Sequence, residues 1–436
     1  MSILSNTTPA PGAGAGVVPV LFGKRITLGV TGSIAAYKAA DLASKLTQAG
    51  AQVDVILTGA AEKFVTPLTF QSVTGRRAYT DGDLWGNEAH VLHVGLGHAA
   101  DLLVIAPCTA NTIARLAHGQ ADSLLAVTAL AMQSPLLIAP AMDGGMYDHP
   151  ATQENVETLK QRGATFIGPA EGHLASGLSG VGRMLETGEI IGHIRLLLGR
   201  NGPLAGKRVV ITAGGTQEPL DPVRVITNRS SGKQGYALAQ AALDMGAQVT
   251  LITTPTSLTP PVGARVVHLE TAKQMLESVL TESATSDALI MASAVADFRP
   301  KNLAKDKIKK EGGVPQIELE ATEDILRTVA EKRRRLEPVE ESGKLTLSKV
   351  EVECPRVVVG FAAESRDLLE NAMHKLKSKG LDFIAANDIS ANDAGFAVET
   401  NRVTLLFADG RKESLALMSK AEVAEVILGW VSKLLE

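Results

Sequence analysis

Cysteine is scarce. Cys108 and Cys354 are the only two in the 436-residue chain, too few for a disulfide framework or a four-cysteine zinc site. That usage suits a reducing compartment, so a cytoplasmic location is the expectation. Aromatic residues make up 3%, which leaves Ala, Val, Leu and Ile to build the core. No uninterrupted apolar stretch reaches the roughly 20 residues of a membrane-spanning helix, so no membrane partner is expected. Charge of one sign is also lacking. The net charge is −4, whereas a phosphate-backbone binder carries a basic excess, so no nucleic-acid partner is expected. Residues 1–22 hold an Ala/Gly/Pro run without the basic start and apolar core of a signal peptide, and read as a flexible tail.

What is present is the balance of a soluble globular chain. Hydrophobic residues are 45% and charged residues 21%, and the length favours two or three domains of about 150 residues each. From Lys24 the pattern alternates. RITLGVTG reads as a buried strand, SIAAYKAADLASKLTQAG as a helix closed by Gly50, and AQVDVILTG as a second strand, a βαβ unit. ADLLVIAPCTAN and SPLLIAPAMDGGMY each end an apolar run in a proline and a polar turn. LLLGRNGPLAGKR reads as a linker, after which KRVVITAGGT restarts the strand-loop pattern. AGAQVDVILT and MGAQVTLITT echo each other across that linker. The reading is two Rossmann-like α/β domains with mainly parallel sheets, over 23–200 and 201–436. In such sheets ligands bind at the carboxyl ends of strands.

Three segments of the first half carry candidate chemistry. In VTGSIAAYK, Gly32 and Ser33 open a helix where backbone N–H groups and a hydroxyl can hold a phosphate; an ordinary βα turn reads the same way. The dinucleotide fingerprint G-x-G-x-x-G is missing there, which disfavours a nicotinamide-dependent reductase. Thr58 ends the next strand as a second hydroxyl or a helix cap. HVLHVGLGH brings His90, His93 and His98 close in sequence. Without a carboxylate or thiolate at ligand spacing these favour an acid/base, an anchor or solvated histidines over a metal site.

In order, GSIAAYK, PCTANT (107–112), PAMDGGMY (140–147) and GHLASGLSGVGRM (172–184) resemble the motifs of the homo-oligomeric flavin-containing cysteine decarboxylases. The resemblance covers nearly the whole first half and implies a flavodoxin-like flavoprotein domain that binds FMN and decarboxylates 4′-phosphopantothenoylcysteine. It implies Gly32, Ser33, Ile34, Thr58, Thr109, Ala110 and Asn111 at the cofactor, and Ala141, Met142, Asp143 and Met146 in the substrate clamp. His93 matches the family's essential histidine. Two positions depart from the pattern. Asp143 stands where the family has Asn, and an ionised carboxylate repels a substrate carboxylate unless it is protonated or paired. Ser176 stands where the family has its proton-donating lid cysteine, and a hydroxyl is a far weaker acid than a thiol with pKa about 8.5.

ITAGGTQEPLDPVRVITNRSSGKQG (211–235) invites a P-loop reading that fails, because the residue five before Gly232 is Thr227 and Lys233 is followed by Gln234. The segment is similar instead to the phosphopantothenate–cysteine ligase half of bacterial bifunctional coenzyme A biosynthesis proteins, in length and order through to the last residue. That family activates 4′-phosphopantothenate with CTP as an acyl-cytidylate, which the amine of cysteine then attacks. The resemblance places Asn228 at the acyl-cytidylate and Lys307, in DKIKK (306–310), at the key lysine. It places Ser293, Ala294 and Asp297 at a nucleotide-contacting strand end. Glu323, Asp324, Ile325 and Leu326 fall in the nucleotide loop, and Phe361, Lys375 and Lys379 at the base or triphosphate. Lys375 and Lys379 are four apart and share a helical face. Mg2+ is implied because it bridges nucleotide phosphates, with Asp297 as its protein contact. The stretch from Lys332 to Pro355 reads as an exposed insertion.

The resemblances imply an enzyme that first ligates and then decarboxylates, assembled as a homo-oligomer, a dodecamer built from trimers and dimers. Two other readings compete: an active ligase with a degenerate flavin domain, and a flavin-binding regulatory subunit.

Overall fold

The computed structural model describes residues 17–85, 91–174, 177, 179–309, 316–334, 354–364, 367–388 and 400–436. The chain divides into two compact units, 1–199 and 200–436.

The first unit is built on strands β1 (Arg25–Val30), β2 (Gln52–Leu57), β3 (Ala78–Thr80), β4 (Leu102–Cys108), β5 (Leu136–Pro140) and β6 (Thr165–Phe166). They form one sheet in the order β3-β2-β1-β4-β5-β6, every pairing parallel. This is the doubly wound order, which creates a crevice between β1 and β4 where the winding reverses. The helices are α1 (Ala36–Gln48), α2 (Pro67–Thr74), α3 (Leu92–Ala99), α4 (Ala110–His118), α5 (Leu124–Ala131), α6 (Gly144–Tyr147), α7 (Pro150–Gln161) and α8 (Thr187–Gly199). A two-stranded hairpin, β7 (Ala170–His173) and β8 (Ser179–Arg183), precedes α8. Alternation along β4 serves both faces of the sheet. Leu102, Val104 and Ala106 join the core with α1 and α8, while Leu103 and Ile105 join the core with α4, α5 and α7.

The expected tail ends before residue 22. Val18 N–H donates to Ala49 C=O at 3.0 Å, and Leu21 is fully buried in the first core. An apolar side chain that can fill a gap beside α1 gains more by packing than by staying in solvent.

The second unit runs β9 (Arg208–Ala213), the hairpin β10 (Gln217–Pro219) and β11 (Val225–Thr227), α9 (Lys233–Asp244), β12 (Gln248–Thr253), β13 (Arg265–His268), α10 (Ala272–Ser283) and β14 (Ala288–Met291). It continues with a second hairpin, β15 (Phe298–Pro300) and β16 (Leu319–Ala321), then α11 (Ile325–Arg334), β17 (Val357–Glu364), α12 (Leu368–Ser378) and β18 (Phe383–Asp388). It closes with β19 (Thr400–Asn401), β20 (Val403–Phe407), β21 (Lys412–Ser414), β22 (Met418–Ser419) and α13 (Lys420–Leu435). The large sheet is ordered β13-β12-β9-β14-β17-β18-β20-β21, parallel as far as β18 and antiparallel beyond it. Its first six strands repeat the winding of the first sheet. The expected fold, two Rossmann-like α/β units with mainly parallel sheets, is the observed one.

The insertion read over Lys332 to Pro355 is shorter than that. Residues 335–353 lie outside the described residues. At its edges, Arg333 belongs to α11 and donates to Asp382 and to Arg356 C=O, at 3.2 and 2.8 Å, and Cys354 is buried. No helix among the described residues is long and apolar enough to cross a membrane.

Candidate active sites

The first unit holds a cavity of about 550 Å³ at the carboxyl ends of β1, β2, β4 and β5. Its walls bring together Gly32, Ser33, Thr58, Thr109, Ala110, Asn111, Ala141, Met142 and Met146. Hydrogen bonds lock the two loops that flank the crevice. Thr31 Oγ1 donates to Pro107 C=O at 2.8 Å and accepts from Thr109 N–H at 3.1 Å. Thr109 caps α4 by accepting from Thr112 N–H at 3.3 Å. Gly32 allows the loops to close: a β-carbon there would sit 2.4 Å from the Ala60 Cβ, closer than two carbons can approach.

The same wall contains residues that the sequence reading missed. Asp81 accepts from Gly59 N–H at 3.1 Å and from Leu124 N–H at 3.0 Å, tying the β2 loop to the start of α5. Arg115 lines the cavity, pairs with Asp122 at 3.0 Å, and keeps a buried Nε without a described partner. A signal existed for Arg115, which lies four residues from Asn111 on one helical face.

Three expected residues stand elsewhere. His93, on α3, and Ile34, 61% exposed, do not line the cavity within one chain. Asp143 is the N-cap of α6, and its Oδ1 accepts from Gly145 N–H at 3.0 Å. Ser176 and His90 lie outside the described residues. The β7–β8 hairpin rests on the 142–144 turn: Met142 N–H donates to Gly182 C=O at 3.0 Å, and a β-carbon on Gly182 would meet Met142 C=O at 2.2 Å. Glu186, just past β8, accepts from Lys38 at 2.8 Å and from Arg183 at 2.6 Å.

The second unit holds a cavity of about 710 Å³. It gathers Asn228, Ser293, Ala294, Asp297, Glu323, Asp324, Ile325, Leu326, Phe361, Lys375 and Lys379 from five separate segments. The N-terminus of α9, preceded by Ser230, Ser231 and Gly232, opens into the same space, and unpaired N–H groups at a helix start favour anions. Asn228 Nδ2 donates to Ala294 C=O and Val295 C=O at 3.3 and 3.2 Å, which commits the amide nitrogen to the strand-end backbone. Lys375 Nζ donates to Phe361 C=O at 2.9 Å. Ser293 points its hydroxyl behind the wall, accepting from Thr212 Oγ1 at 2.9 Å and donating to Met275 Sδ at 3.0 Å.

Lys307 is the exception among the expected residues. It is exposed and does not line this cavity. Its neighbour Ile308 is held on the β10–β11 turn, where Asp221 Oδ2 accepts from Ile308 N–H at 3.1 Å. The cavity also has members that the sequence reading did not single out. Asn387 and Asn401, 7% and 3% exposed, line it with Gln234 and Lys420. A chain of amides connects them: Asn387 donates to Asn401, Asn401 to Gln234 and Gln234 to Lys420 C=O, at 3.3, 2.9 and 3.1 Å. Among the described residues no group of three His, Cys, Asp or Glu side chains is placed to hold a metal ion.

Comparison with known proteins agrees with this division. Residues 21–199 match the Flavoprotein family, and residues 204–339 and 345–435 match the DNA/pantothenate metabolism flavoprotein C-terminal domain. A coenzyme A biosynthesis bifunctional protein CoaBC of Bacillus subtilis (strain 168) is 44% identical over 418 residues, 95% of this chain and 98% of its own. Its counterpart from Mycobacterium bovis (strain ATCC BAA-935 / AF2122/97) is 44% identical over 415 residues, 93% of this chain and 95% of its own. A crystal structure of the C-terminal domain of a coenzyme A biosynthesis bifunctional protein CoaBC is 38% identical, covers 54% of this chain and 98% of its own, and gives a TM-score of 0.42. With relatives this similar across nearly the whole length, the chain belongs to the family of coenzyme A biosynthesis bifunctional proteins.

Proposed function

We propose that the second unit joins 4′-phosphopantothenate to cysteine at the expense of CTP, and that the first unit decarboxylates the product, 4′-phosphopantothenoylcysteine, to 4′-phosphopantetheine. The observation that carries this reading is the second cavity, where a helix N-terminus, two lysines, an amide and a strand-end carboxylate from distant segments face one space. Forming an acyl-cytidylate crowds negative charge, and fixed cations and N–H groups stabilise that charge as it develops. The α9 N-terminus and Lys375 serve the phosphates or base, Phe361 lies against the base, and Asn228 holds the acyl-cytidylate. Lys307 is the mobile cation that completes the site. Asp297 would hold Mg2+, which would neutralise phosphate charge on the nucleotide.

In the first unit the donor set and the tight glycine cradle fit FMN. Gly32, Ser33, Thr58, Thr109, Ala110 and Asn111 would hold it, with backbone N–H groups at the starts of α1 and α4. When bound, FMN supplies the two-electron chemistry that lets a carboxylate leave without an unstabilised carbanion. Ala141, Met142 and Met146 form the substrate wall. His93 controls a proton and, lying off the wall in one chain, reaches the cavity of a neighbouring copy in a homo-oligomer. That assembly is a dodecamer of trimers and dimers. Ser176 takes the lid position in place of a thiol.

A second reading, an active ligase with a degenerate flavin half, is favoured by Asp143, whose carboxylate takes a place where a substrate carboxylate needs a donor. A split assay separates the two. Purified protein receives 4′-phosphopantothenate, cysteine, CTP and Mg2+, and pyrophosphate and CO2 are followed independently. Both products are expected. Pyrophosphate without CO2 selects the second reading, and neither product overturns both. Lys307→Gln is expected to stop pyrophosphate release and spare decarboxylation of added 4′-phosphopantothenoylcysteine; His93→Asn is expected to do the reverse.

A further inference from the structure

We propose that Asp221 is the positioning residue for Lys307, acting through the backbone of Ile308. The proposal rests on reading Lys307 as the cation of the ligase site. Asp221 lies in the turn between β10 and β11, one of the most buried charged residues of the second unit at 1% exposed. Its Oδ1 accepts from Val223 N–H and Arg224 N–H at 2.8 and 2.9 Å, the usual way for an aspartate to close its own turn. A turn needs no more than that. Its Oδ2 nevertheless accepts from Ile308 N–H, 87 residues away, at 3.1 Å.

The other polar group of the same residue is gripped as well. Arg224 Nη2 donates to Ile308 C=O at 3.1 Å, and Arg224 itself stands 3.6 Å from the Asp221 carboxylate. Both backbone groups of Ile308 are thus held by one two-residue device. Further along, Ala304 N–H donates to Leu220 C=O at 3.1 Å, a second stitch between the turn and the lysine loop. Lys307, between these anchors, is exposed. Its backbone is fixed next door while its long side chain remains able to swing.

The anchor matters because of what else the hairpin carries. Asn228 follows β11 directly, with its amide fixed to the Ala294 and Val295 carbonyls at the cavity wall. The hairpin is itself fastened on its other strand, where buried Glu218 accepts from Ala272 N–H at 2.8 Å at the start of α10. Asp221 therefore sets the lysine loop against the same rigid piece that bears Asn228. A flexible cation tethered at its root is searched over a small volume, and such orientation carries a large share of a rate enhancement. The carboxylate stays ionised for this work. Burial acts to raise its pKa, but the N–H donors of Val223, Ile308 and Arg224 and the guanidinium of Arg224 outweigh it and hold the group below the usual carboxylate range.

The test uses full-length protein in four forms: wild type, Asp221→Asn, Ile308→Pro and the double variant, with Lys307→Gln as reference. Proline has no N–H, so Ile308→Pro removes the accepted bond while leaving the Asp221 turn intact. Pyrophosphate release with CTP and limited trypsin cleavage after Lys309 are both followed. Asp221→Asn and Ile308→Pro are each expected to lower kcat about a hundredfold, the scale of a displaced catalytic group, with the KM for CTP little changed. Trypsin is expected to cut after Lys309 faster in both, the bond after Lys307 being itself resistant in Ile308→Pro. The double variant is expected to be no worse than either single one, because the two residues share one bond. Losses that multiply in the double variant, or an Asp221→Asn protein with wild-type kcat and wild-type cleavage, overturn the clamp. Full activity in Lys307→Gln overturns the ligase role of the lysine instead, and the trypsin arm still judges the clamp.

Discussion

Lys379 Nζ lies 3.0 Å from Asp324 Oδ2 across the second cavity wall. The pair links the C-cap of α12 to the residue that opens α11, where Asp324 also accepts from Arg327 N–H at 3.1 Å. A cation assigned to the nucleotide is therefore shared with a carboxylate of the nucleotide loop. Under the proposed function a triphosphate would compete for that lysine, while Asp324 would keep its bond from Arg327 N–H.

Replacing Lys379 by alanine tests this sharing. Burial works to raise the Asp324 pKa, but the Arg327 N–H, Lys379 and Lys375 outweigh it and the carboxyl sits below its usual range. A depressed folded pKa gives stability that is present above the unfolded value of about 3.9 and is lost as pH falls through the folded value. The variant's folded pKa rises, so it gives up less on acidification. The lysine and aspartate side chains are 24% and 40% exposed, so solvent screens the pair and its share of stability is below about 1 kcal/mol. The expected result is a near-unchanged melting temperature at pH 7 with a KM for CTP raised about tenfold, the scale of one lost charged hydrogen bond. An unchanged KM would remove Lys379 from the nucleotide site.

Gly32→Ala tests the flavin cradle. The added methyl meets Ala60 Cβ at 2.4 Å, inside a crevice whose two loops are bonded to each other. Overpacking of this kind costs about 1–3 kcal/mol and pushes the β1 loop out of register with the β4 loop. The purified variant is expected to lose most of its flavin absorbance while the ligase half keeps releasing pyrophosphate. A yellow variant with wild-type flavin content argues against the cradle.

The strand ends were legible in the sequence because parallel strands show as short apolar runs closed by glycine, proline or a hydroxyl. The echoed segments AGAQVDVILT and MGAQVTLITT fall on β2 and β12, which hold the same place beside the central strands β1 and β9. The 323–326 loop, Asn228, Phe361 and the two lysines converge on one cavity, and the motif order behind the ligase resemblance was what picked them out in the sequence. Lys420 was not legible. It is joined to the site by Gln234, 186 residues earlier, and a buried lysine at a helix start looks like a solvated one in sequence. Asn387 and Asn401 were hidden for the same reason, since amide relays have no spacing rule. The clamp on Ile308 also depends on a fold-made contact, not on a motif.

The thiols should be inert in the folded protein. Cys108 is fully buried at the end of β4, and burial drives its pKa far up. Burial also raises that of Cys354, with Arg333 partly opposing. Raised folded values mean that stability is intact below the ordinary thiol pKa of about 8.5 and declines as pH rises beyond it, because only the unfolded chain then ionises freely. A disulfide reagent at pH 8 is expected to label neither cysteine within minutes, and both at once in denaturant. Rapid labelling of Cys108 in native protein would contradict its burial.

Asp143→Asn should strengthen the decarboxylase. The cap on α6 asks for a side-chain oxygen that accepts from Gly145 N–H, and asparagine meets that need about as well as aspartate. Stability is therefore expected to stay within about 0.5 kcal/mol, the range of a substitution that keeps its interactions. Under the proposed function, what changes is the charge at the clamp position expected to face the substrate carboxylate. On that reading, removing one like charge lowers the electrostatic penalty, and the new amide adds a donor. The KM for 4′-phosphopantothenoylcysteine is expected to fall about tenfold or more, following a charged hydrogen bond gained. CO2 release at saturating substrate is expected to move less, because the charge change acts chiefly on substrate binding. If the KM stays put while the cap and stability persist, Asp143 does not face the substrate carboxylate, and its departure from asparagine belongs to the helix start alone.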